Sequence, residues 1–475
     1  MTSGLQAFGS ADLPKPPPFT PRHVFRTIGP GVIGLGVAIG SGEWLLGPSV
    51  IASYGPHLLW LTTVAVVLQV LLNLEMARYT LYTGEPIITG FMRTWPGSTF
   101  WGITYALLSL LQYGWPGWAL ASATASAALI LGRMPGAGDA GLVVMLGYAT
   151  FGLCLIITLT GRKIERTLEI AMWTMVAAVL VYLLGMSVAS VSGATWKLTA
   201  ISFFSIGDIP AGADWTLLAA FAAYSGSGGI GNAFITNWMR DKGFGMGGTV
   251  GYIPGAAGSM IRLKPHGNVF PVTPDSLRDW KGWWKHVYVD QCLIFGLGSF
   301  VGMALTALLT LEYVKPGATI GGWAAANMLA GAIAAVHGPV FWWLTIFCGF
   351  WVLFSTQLGV VDGLPRAITD IVWSASPRAR RIRGGDVRAV YYGVVALFVL
   401  WGGIALSLAQ PLTLILIGAN VAGFIFVLES IHTLIVNRTL LPKALRPPLW
   451  RELSLVATAI FYGALLIAVL VRLVW

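Results

Sequence analysis

The chain has few charged residues and few cysteines for its length. Of its 475 residues, 10% are Asp, Glu, Lys or Arg and 56% are hydrophobic. Soluble globular domains carry about 25% charged residues, so this composition excludes a soluble protein. The cysteines, Cys154, Cys292 and Cys348, lie in apolar runs, and their spacing fits neither a disulfide framework nor a zinc site. We therefore expect them to be small core residues.

Long apolar runs fill most of the sequence and predict an all-α integral membrane protein. The runs reach about 18 residues or more, which is long enough for spanning helices and too long for spanning strands. We expect about 11 transmembrane helices, over residues 28–54, 57–82, 98–131, 140–160, 166–191, 214–239, 287–311, 337–372, 388–408, 411–437 and 452–474.

Two polar regions lie outside the predicted spans. Residues 1–26 contain Lys15-Pro-Pro-Pro18 and lack the apolar stretch of a signal peptide, so we predict a disordered cytoplasmic N-terminal tail. Residues 240–286 are rich in Gly and Pro and predict a cytoplasmic loop between helices 6 and 7. Residues 27–475 are then expected to form a single transmembrane domain.

The net charge of +10 reflects orientation in a membrane. With the N-terminus placed in the cytoplasm, 25 of the 29 Lys and Arg residues fall on the cytoplasmic side. This asymmetry follows the positive-inside rule. The exceptions are Arg133, Lys197, Lys315 and Arg472. We therefore expect a multi-pass protein of the plasma or inner membrane with its C-terminus outside, embedded in the lipid bilayer and with no nucleic-acid partner.

A carboxylate interrupts the first span. Gly40-Ser41-Gly42 directly precedes Glu43, in the middle of an otherwise apolar helix. An ionisable group at bilayer depth is costly and marks a functional site by default. The glycines predict a broken helix whose free backbone carbonyls can coordinate a ligand. The alternative is a neutral Glu43 that hydrogen-bonds to a neighbouring helix.

The sixth span contains a matching interruption. Its Gly and Ser residues predict a second helix break, five spans after the first and therefore in the opposite orientation. Paired breaks of this kind indicate a transporter site. The alternative is close packing of small residues between helices. The candidate ligands here are Tyr224, Ser225, Gly226, Ser227, Gly229 and Asn232. Asn232 is equally suited to cap a half-helix, and Tyr224 to be an ordinary buried aromatic.

Several polar residues in later spans are further candidates. Gln357 in span eight could reach the site, while Asp362 could carry protons or pair with Arg366 four residues on. Asp290 lies at the start of span seven, near the cytoplasmic interface. Glu429 and His432 in span ten have the spacing of a proton relay, although a polar pair at a helix end is the simpler interpretation.

The first two spans resemble the Nramp family of divalent-metal transporters over about 55 residues. The matching segments are Ile28-Gly-Pro-Gly31, Leu58-Leu-Trp60, Asn73-Leu-Glu-Met-Ala-Arg78 and Thr83-Gly84, with later support from Asp290, Ser355-Thr356, Gly359, Gly363, Asn437-Arg438 and Leu440-Leu-Pro442. This resemblance implies a LeuT-type 5+5 inverted repeat with broken helices 1 and 6. It also implies a single transporter domain, a site between those two helices, and proton-linked uptake of a divalent metal.

The site motifs of the family are altered in this sequence. Gly40-Ser41-Gly42-Glu43 stands where the family has Asp-Pro-Gly-Asn, and Gly229-Ile230-Gly231 where it has Met-Pro-His. Pro116 and Ala119 replace the acidic pair of the third span. The sulfur ligand that suits transition metals is therefore gone, and the usual proton route with it.

These observations lead to one main hypothesis. We expect a secondary active transporter of a divalent metal of the Mg²⁺ or Mn²⁺ type, working by alternating access, with proton linkage as an option. The first alternative is a transporter of a small organic solute such as an amino acid, because Ile39-Gly-Ser-Gly42 also resembles the break of amino-acid permeases. The second is a membrane sensor that does not transport. No motif of a known enzyme is present, so we expect neither enzymatic activity nor a bound cofactor.

Overall fold

The computed structural model describes residues 4–314, 317, 323–407 and 411–474. Lys315, the predicted end of span nine at residue 408, and the C-terminal Trp475 lie outside these residues. Where it is described, the chain is almost entirely helical, and two short strands, Gly9–Ser10 and Asn268–Val269, form a parallel pair.

Eleven helical segments of membrane-spanning length follow one another in the described residues. In chain order, spans one to six are Pro30–Ala38 with Gly42–Leu46 and Gly47–Tyr54, then Trp60–Thr83, Ser98–Tyr113 with Gly117–Leu131, Ala140–Leu159, Ile164–Ser190, and Trp215–Ala223 with Ile230–Lys242. Spans seven to eleven are Pro274–Tyr288 with Val289–Leu297 and Gly298–Tyr313, then Val340–Ala375, Val387–Ala405, Pro411–Leu440 and Leu449–Val474. By length and apolar composition, nine of these could cross a membrane as single helices. Spans three and six each consist of two shorter helices, so the predicted eleven spans agree with the structure.

Short helices connect the spans. The α-helical connectors are Pro21–Thr27, Ile87–Met92, Gly193–Phe204 and Trp323–His337, and the 3₁₀ turns are Pro56–Leu58, Ala137–Asp139, Gly245–Thr249, Ala379–Gly384 and Lys443–Leu445. The segments Gly42–Leu46 and Val289–Leu297 are π-helical. Wide turns of this kind are rare and concentrate at functional sites.

Burial divides the helices into a central group and a peripheral group. Span one is completely buried over its most apolar window, whereas spans four and eleven are only 28% buried over theirs. The peripheral helices expose large apolar side chains such as Val181, Leu397 and Ile460. Lipid accepts such side chains, since the apolar surface needs no cover from protein in a bilayer.

The N-terminal segment differs from the predicted disordered tail. Residues 9–10 pair with residues 268–269, and the Trp283 indole donates to the Pro14 carbonyl at 2.8 Å. The His286 imidazole lies 3.0 Å from the carbonyl of Pro17. Proline-rich backbone is already extended and keeps its carbonyls available as acceptors, so little further ordering is needed for it to pack on these side chains.

The predicted loop over 240–286 is also partly ordered. Helix Pro274–Tyr288 begins at a capping box on Thr273 and continues directly into span seven, which therefore starts about 13 residues before the predicted residue 287. Trp280, Trp283 and Trp284 on this helix are buried. The hydropathy pattern missed the extension because charged residues alternate with these tryptophans.

Candidate functional site

The break in span one lies between Ala38 and Gly42. Ile39 leaves the helix with ψ 85°, and the chain re-enters a helical path at Ser41. Gly40 faces span eight so closely that a Cβ there would lie 2.3 Å from the Thr356 hydroxyl. The missing side chain is what allows span eight to approach the break.

The break in span six runs from Tyr224 to Gly229. Gly228 and Gly229 have φ angles of +68° and +51°, which side-chain-bearing residues rarely adopt. Span three braces the loop: the Tyr113 hydroxyl donates to the Ser227 carbonyl at 2.5 Å, and the Gln112 amide donates to the Gly228 carbonyl at 2.6 Å. The main-chain groups freed by the break are thus partly satisfied by side chains.

A small cavity lies between the two breaks. The centre of a water-sized sphere can occupy about 10 Å³ of this cavity. The cavity therefore has room for roughly one water molecule or one ion. The lining comes from spans one, three, six and eight and contains no ionisable acid or base other than the two tyrosines. The lining residues are Val37, Ala38, Ser41, Gly42, Tyr113, Trp118, Tyr224, Gly226, Ser227 and Thr356.

Two hydroxyl groups of the lining donate their protons to main-chain carbonyls of span one. Ser227 donates to the Gly34 carbonyl at 3.1 Å, and Thr356 donates to the Val37 carbonyl at 3.1 Å. A hydroxyl has one proton and two lone pairs, so each oxygen retains acceptor capacity after this donation. The Ser41 oxygen accepts from the Trp118 indole at 3.2 Å and keeps its second lone pair. An arrangement of lone pairs around a small cavity favours a cation over an anion.

Glu43 lies beside this cavity and not in its lining. Its side chain is buried, and its Oε2 accepts from the Gly40 amide at 2.9 Å. Its Oε1 has no hydrogen-bond partner among the described residues. The side chain also borders span seven, where a Cβ on Gly302 would lie 3.8 Å from the Glu43 Cγ.

The cavity brings together four of the residues expected from sequence: Ser41, Tyr224, Gly226 and Ser227. Gly40 contacts this group through Thr356. The other expected ligands are engaged elsewhere.

Ser225 lies 3.1 Å from the Thr62 hydroxyl, on the opposite side of the break. Asn232 donates to the Asn73 side chain at 2.8 Å and so ties span six to span two. The Gln357 oxygen accepts from the Ala119 amide at 3.0 Å. These contacts are interhelical, and none of the three side chains lines the cavity. Gly229 packs against Gln112 and Ala422.

The candidate proton carriers are dispersed. Asp290 accepts from the Gly29 and Gly31 amides at 3.0 and 2.8 Å and thereby holds the start of span one. Asp362 forms the expected pair with Arg366, 2.7 Å from Nη2 to Oδ1. Glu429 and His432 lie in span ten, both buried, and His432 contacts Tyr105 in the first helix of span three.

Sequence reasoning missed the contribution of span three. Tyr113 and Trp118 line the cavity, and Gln112 binds the C-terminal end of the span-six loop through the Gly228 carbonyl and the Ile230 amide. A signal was present, because Gly114-Trp-Pro-Gly117 separates two apolar helices just as the other glycine clusters do. Thr356 belongs to a segment used for the family resemblance, yet its role in the lining was not anticipated.

A cluster of buried ion pairs joins the inner ends of spans six and eight. Arg366 pairs with Asp362 and Asp241, and Arg240 pairs with Asp241 and Asp370. All five of these side chains are almost completely buried. Nearby, Lys242 forms ion pairs with Glu165 and Glu169 of span five. We call the five-residue cluster the inner latch.

Comparison with known proteins gives a structural result only. No protein-family model matches the chain, and no curated protein matches it in sequence. Among solved structures, a manganese transporter of the Nramp family from Eremococcus coleocola, in complex with an aromatic bis-isothiourea substituted compound, aligns with a TM-score of 0.61 and 12% identity, over 98% of this chain and 91% of that one. A variant of the same transporter aligns with a TM-score of 0.60 and 13% identity, over 96% and 88%.

A nucleobase-cation-symport-1 family transporter, closed around bromovinylhydantoin, aligns with a TM-score of 0.51 and 14% identity, over 94% of this chain and 90% of that one. These likenesses extend over nearly the whole chain, and the helix breaks fall in its first and sixth spans. The predicted fold is therefore confirmed: this chain is an all-α, multi-pass membrane protein with the LeuT-type architecture.

Proposed function

We propose that the protein is a secondary active transporter of a hard divalent cation, working by alternating access. The observation that carries this proposal is a small cavity lined by hydroxyl oxygens, of which Ser227 and Thr356 donate their protons to main-chain carbonyls and keep lone pairs free. Hard divalent cations prefer oxygen ligands. The two broken helices that enclose the cavity belong to opposite halves of the fold, which suits a site reached in turn from each side. The similar manganese transporter supports a metal cargo.

Charge balance for the cation comes from Glu43. The carboxyl is buried immediately behind the lining residues Ser41 and Gly42, where a low dielectric strengthens its attraction for a cation. No group of three or more His, Cys, Asp or Glu side chains within the described residues could form a metal cage. One carboxylate with neutral oxygens holds a divalent ion only loosely, as release during transport requires.

The size of the cavity selects among cargoes. Room for about one water-sized particle excludes an amino acid from this closed state and leaves little space for hydration water. Mg²⁺ gives up its water reluctantly, so we propose Mn²⁺ as the preferred ion. No thioether or imidazole lines the cavity, and this disfavours softer transition metals.

The test is uptake into proteoliposomes that contain a metal-quenched dye. Mn²⁺ should enter more rapidly than Mg²⁺, and Glu43→Gln should reduce the rate about tenfold or more, since it removes the carboxylate directly behind Ser41 and Gly42. Glu312→Gln, at the partly exposed end of span seven, is the matched control and should behave as the unaltered protein. Absence of Mn²⁺ and Mg²⁺ uptake, or equal rates in Glu43→Gln, would contradict the proposal.

The distribution of basic residues supports an orientation with the N-terminus in the cytoplasm of a plasma or inner membrane. On this view the inner latch lies on the cytoplasmic side. Reporter fusions placed after residue 242 and after residue 472 test it: the first should be cytoplasmic and the second external, and the reverse result would overturn the orientation.

A further inference from the structure

Span ten buries a carboxyl group that the cation site does not use. Glu429 is fully buried, and neither of its carboxylate oxygens has a hydrogen-bond partner in the described part of the chain. The hydroxyl of Thr433, one turn further along the helix, is likewise without a partner. A carboxylate left ionised in such surroundings is costly, and buried acids of this kind in membrane proteins are typically functional.

The carboxyl lies between the cavity and the cytoplasmic face. Gly418 of span ten rests on the Gln112 carbonyl, and His432 contacts Tyr105, so spans three and ten run antiparallel. Glu429 is therefore placed between the level of the cavity and that of His432. Helix Ser98–Tyr113, which packs on span ten, carries Tyr105 at the level of His432 and Tyr113 in the lining of the cavity.

His432 continues the polar path. The Thr94 hydroxyl donates to the Phe91 carbonyl at 2.8 Å, so at 2.7 Å from the imidazole Nε2 it can only accept. Nε2 therefore carries the imidazole proton, and Nδ1 accepts from the Tyr105 hydroxyl at 2.9 Å. Thr94 is half-buried and precedes Trp95, which is fully exposed. The path thus reaches the protein surface.

The charged groups on the surrounding helices are bound to one another. Glu75 of span two pairs with Arg78 on the same helix and with Arg451 of span eleven, while Tyr462 accepts from Gln69 at 3.0 Å. Arg240 and Asp241 of span six belong to the inner latch. Helix Gly117–Leu131 and helix Ile87–Met92, which also pack on span ten, contain no ionisable side chain. Tyr105 and Tyr113 are the titratable groups that face Glu429.

We propose that Glu429 carries the proton coupled to cation transport and exchanges it with the cytoplasm through Tyr105, His432 and Thr94. In the release step the Glu429 side chain rotates to hydrogen-bond the Tyr105 hydroxyl; the Glu429 O–H bond then breaks and its proton passes to the Tyr105 oxygen, while the Tyr105 proton moves to Nδ1 of His432. The imidazolium then releases its Nε2 proton to water at Thr94. The products are a Glu429 carboxylate and one hydrated proton. This inference rests on the proposed cation transport.

The experiment records Mn²⁺ entry and internal pH together in proteoliposomes with an initial Mn²⁺ gradient. The unaltered protein should acidify the interior as Mn²⁺ enters. Glu429→Gln keeps the shape of the side chain and removes its exchangeable proton, so acidification per Mn²⁺ should fall about tenfold or more while downhill Mn²⁺ entry continues. Ser430→Ala, on the adjacent residue whose hydroxyl bonds only to Phe426, should retain both signals.

Infrared spectroscopy gives a readout that is independent of transport. A protonated carboxyl has a C=O band of its own, and Glu429→Gln should remove one such band that changes on Mn²⁺ addition. Unchanged acidification per Mn²⁺ in Glu429→Gln, or an unchanged band, overturns the proton assignment and leaves the transport proposal intact. Failure of the unaltered protein to admit Mn²⁺ overturns both proposals.

Discussion

Gly42 rests directly on the main-chain carbonyl of Tyr224. A Cβ built on residue 42 would fall 1.8 Å from that oxygen and 2.6 Å from the carbonyl carbon. The two helix breaks are therefore in backbone contact, and the contact closes one wall of the cavity. Backbone cannot yield as the end of a flexible side chain can, so residue 42 has to be glycine in this arrangement.

Gly42→Ala should force the two breaks apart. We expect it to lower the free energy of unfolding by about 1–3 kcal/mol and to abolish Mn²⁺ uptake, because the cavity loses a wall. Thermal unfolding in detergent and uptake in proteoliposomes measure the two effects. Gly152→Ala in span four is the control, since a Cβ there meets nothing within 4 Å. Normal uptake in Gly42→Ala would mean that the breaks separate during binding.

The serines of span six provide a matched pair of variants. Ser227→Ala removes a lining oxygen and its bond to the Gly34 carbonyl, whereas Ser225→Ala removes a hydroxyl that faces Thr62 on the other side of the loop. We expect Ser227→Ala to weaken Mn²⁺ affinity about 2- to 13-fold, the equivalent of one hydrogen bond of about 0.5–1.5 kcal/mol. Ser225→Ala should leave affinity within twofold. Measurement of the transport rate as a function of Mn²⁺ concentration tests both variants. A larger effect at Ser225 would mean that the ligands lie on the Thr62 side of the loop.

Arg366 is the most consequential residue for stability in the inner latch. Its guanidinium is completely buried between Asp241 and Asp362. Arg366→Met preserves the bulk but leaves the buried Asp362 carboxylate without a cation and Asp241 with Arg240 alone, so we expect a loss of about 3–5 kcal/mol in the free energy of unfolding. The exposed pair of Arg278 and Asp275 is the control, and Arg278→Met should cost about 0–1 kcal/mol. Equal losses for the two variants would contradict the buried network.

The N-terminal segment should behave as a fixed part of the protein surface beside helix Pro274–Tyr288. The Gly9 and Ala11 amides donate to the Gly267 and Val269 carbonyls at 2.9 and 3.2 Å, so their hydrogen exchange should be slow relative to that of a free tail. Deletion of residues 1–18 should accelerate exchange across helix Pro274–Tyr288, which loses its contacts with Pro14 and Pro17. Rapid hydrogen exchange at the Gly9 and Ala11 amides of the intact protein would instead support the disordered tail predicted from sequence.

The positions of the spans and breaks could be predicted because each depends on the local amino-acid composition of the chain. Apolar runs mark the helices, and clusters such as Gly40-Ser41-Gly42 mark the points at which a helix cannot continue. The pairing of Asp362 with Arg366 followed from a spacing of four residues on one helix. Each of these features depends on residues that are near one another in the chain.

The lining of the cavity could not be predicted to the same extent because it depends on helix rotation. A change of one residue in phase moves a side chain about 100° around a helix, and the π-helical turn after Ser41 introduces such a change. Glu43 consequently lies behind the lining, whereas Ser41 and Gly42 lie in it. The approach of Tyr113 and Trp118 is a tertiary contact between distant segments: Gly114-Trp-Pro-Gly117 marks the interruption of span three, but the sequence does not show which side chains reach the site.

The inner latch gives the two faces of the protein unequal roles. Its five buried charges hold the proposed cytoplasmic ends of spans six and eight together, while the ion pair between Arg133 and Asp139, at the proposed outer face, is exposed. Conformers that open inward are then rare, and a ligand arriving from the cytoplasm finds a binding-competent protein only in that small fraction of molecules. Apparent affinity from inside falls in proportion to this fraction, about tenfold for each 1.4 kcal/mol that the latch contributes. The same site would therefore bind its ligand readily from one side of the membrane and poorly from the other. The proposed transport would then run mainly in one direction.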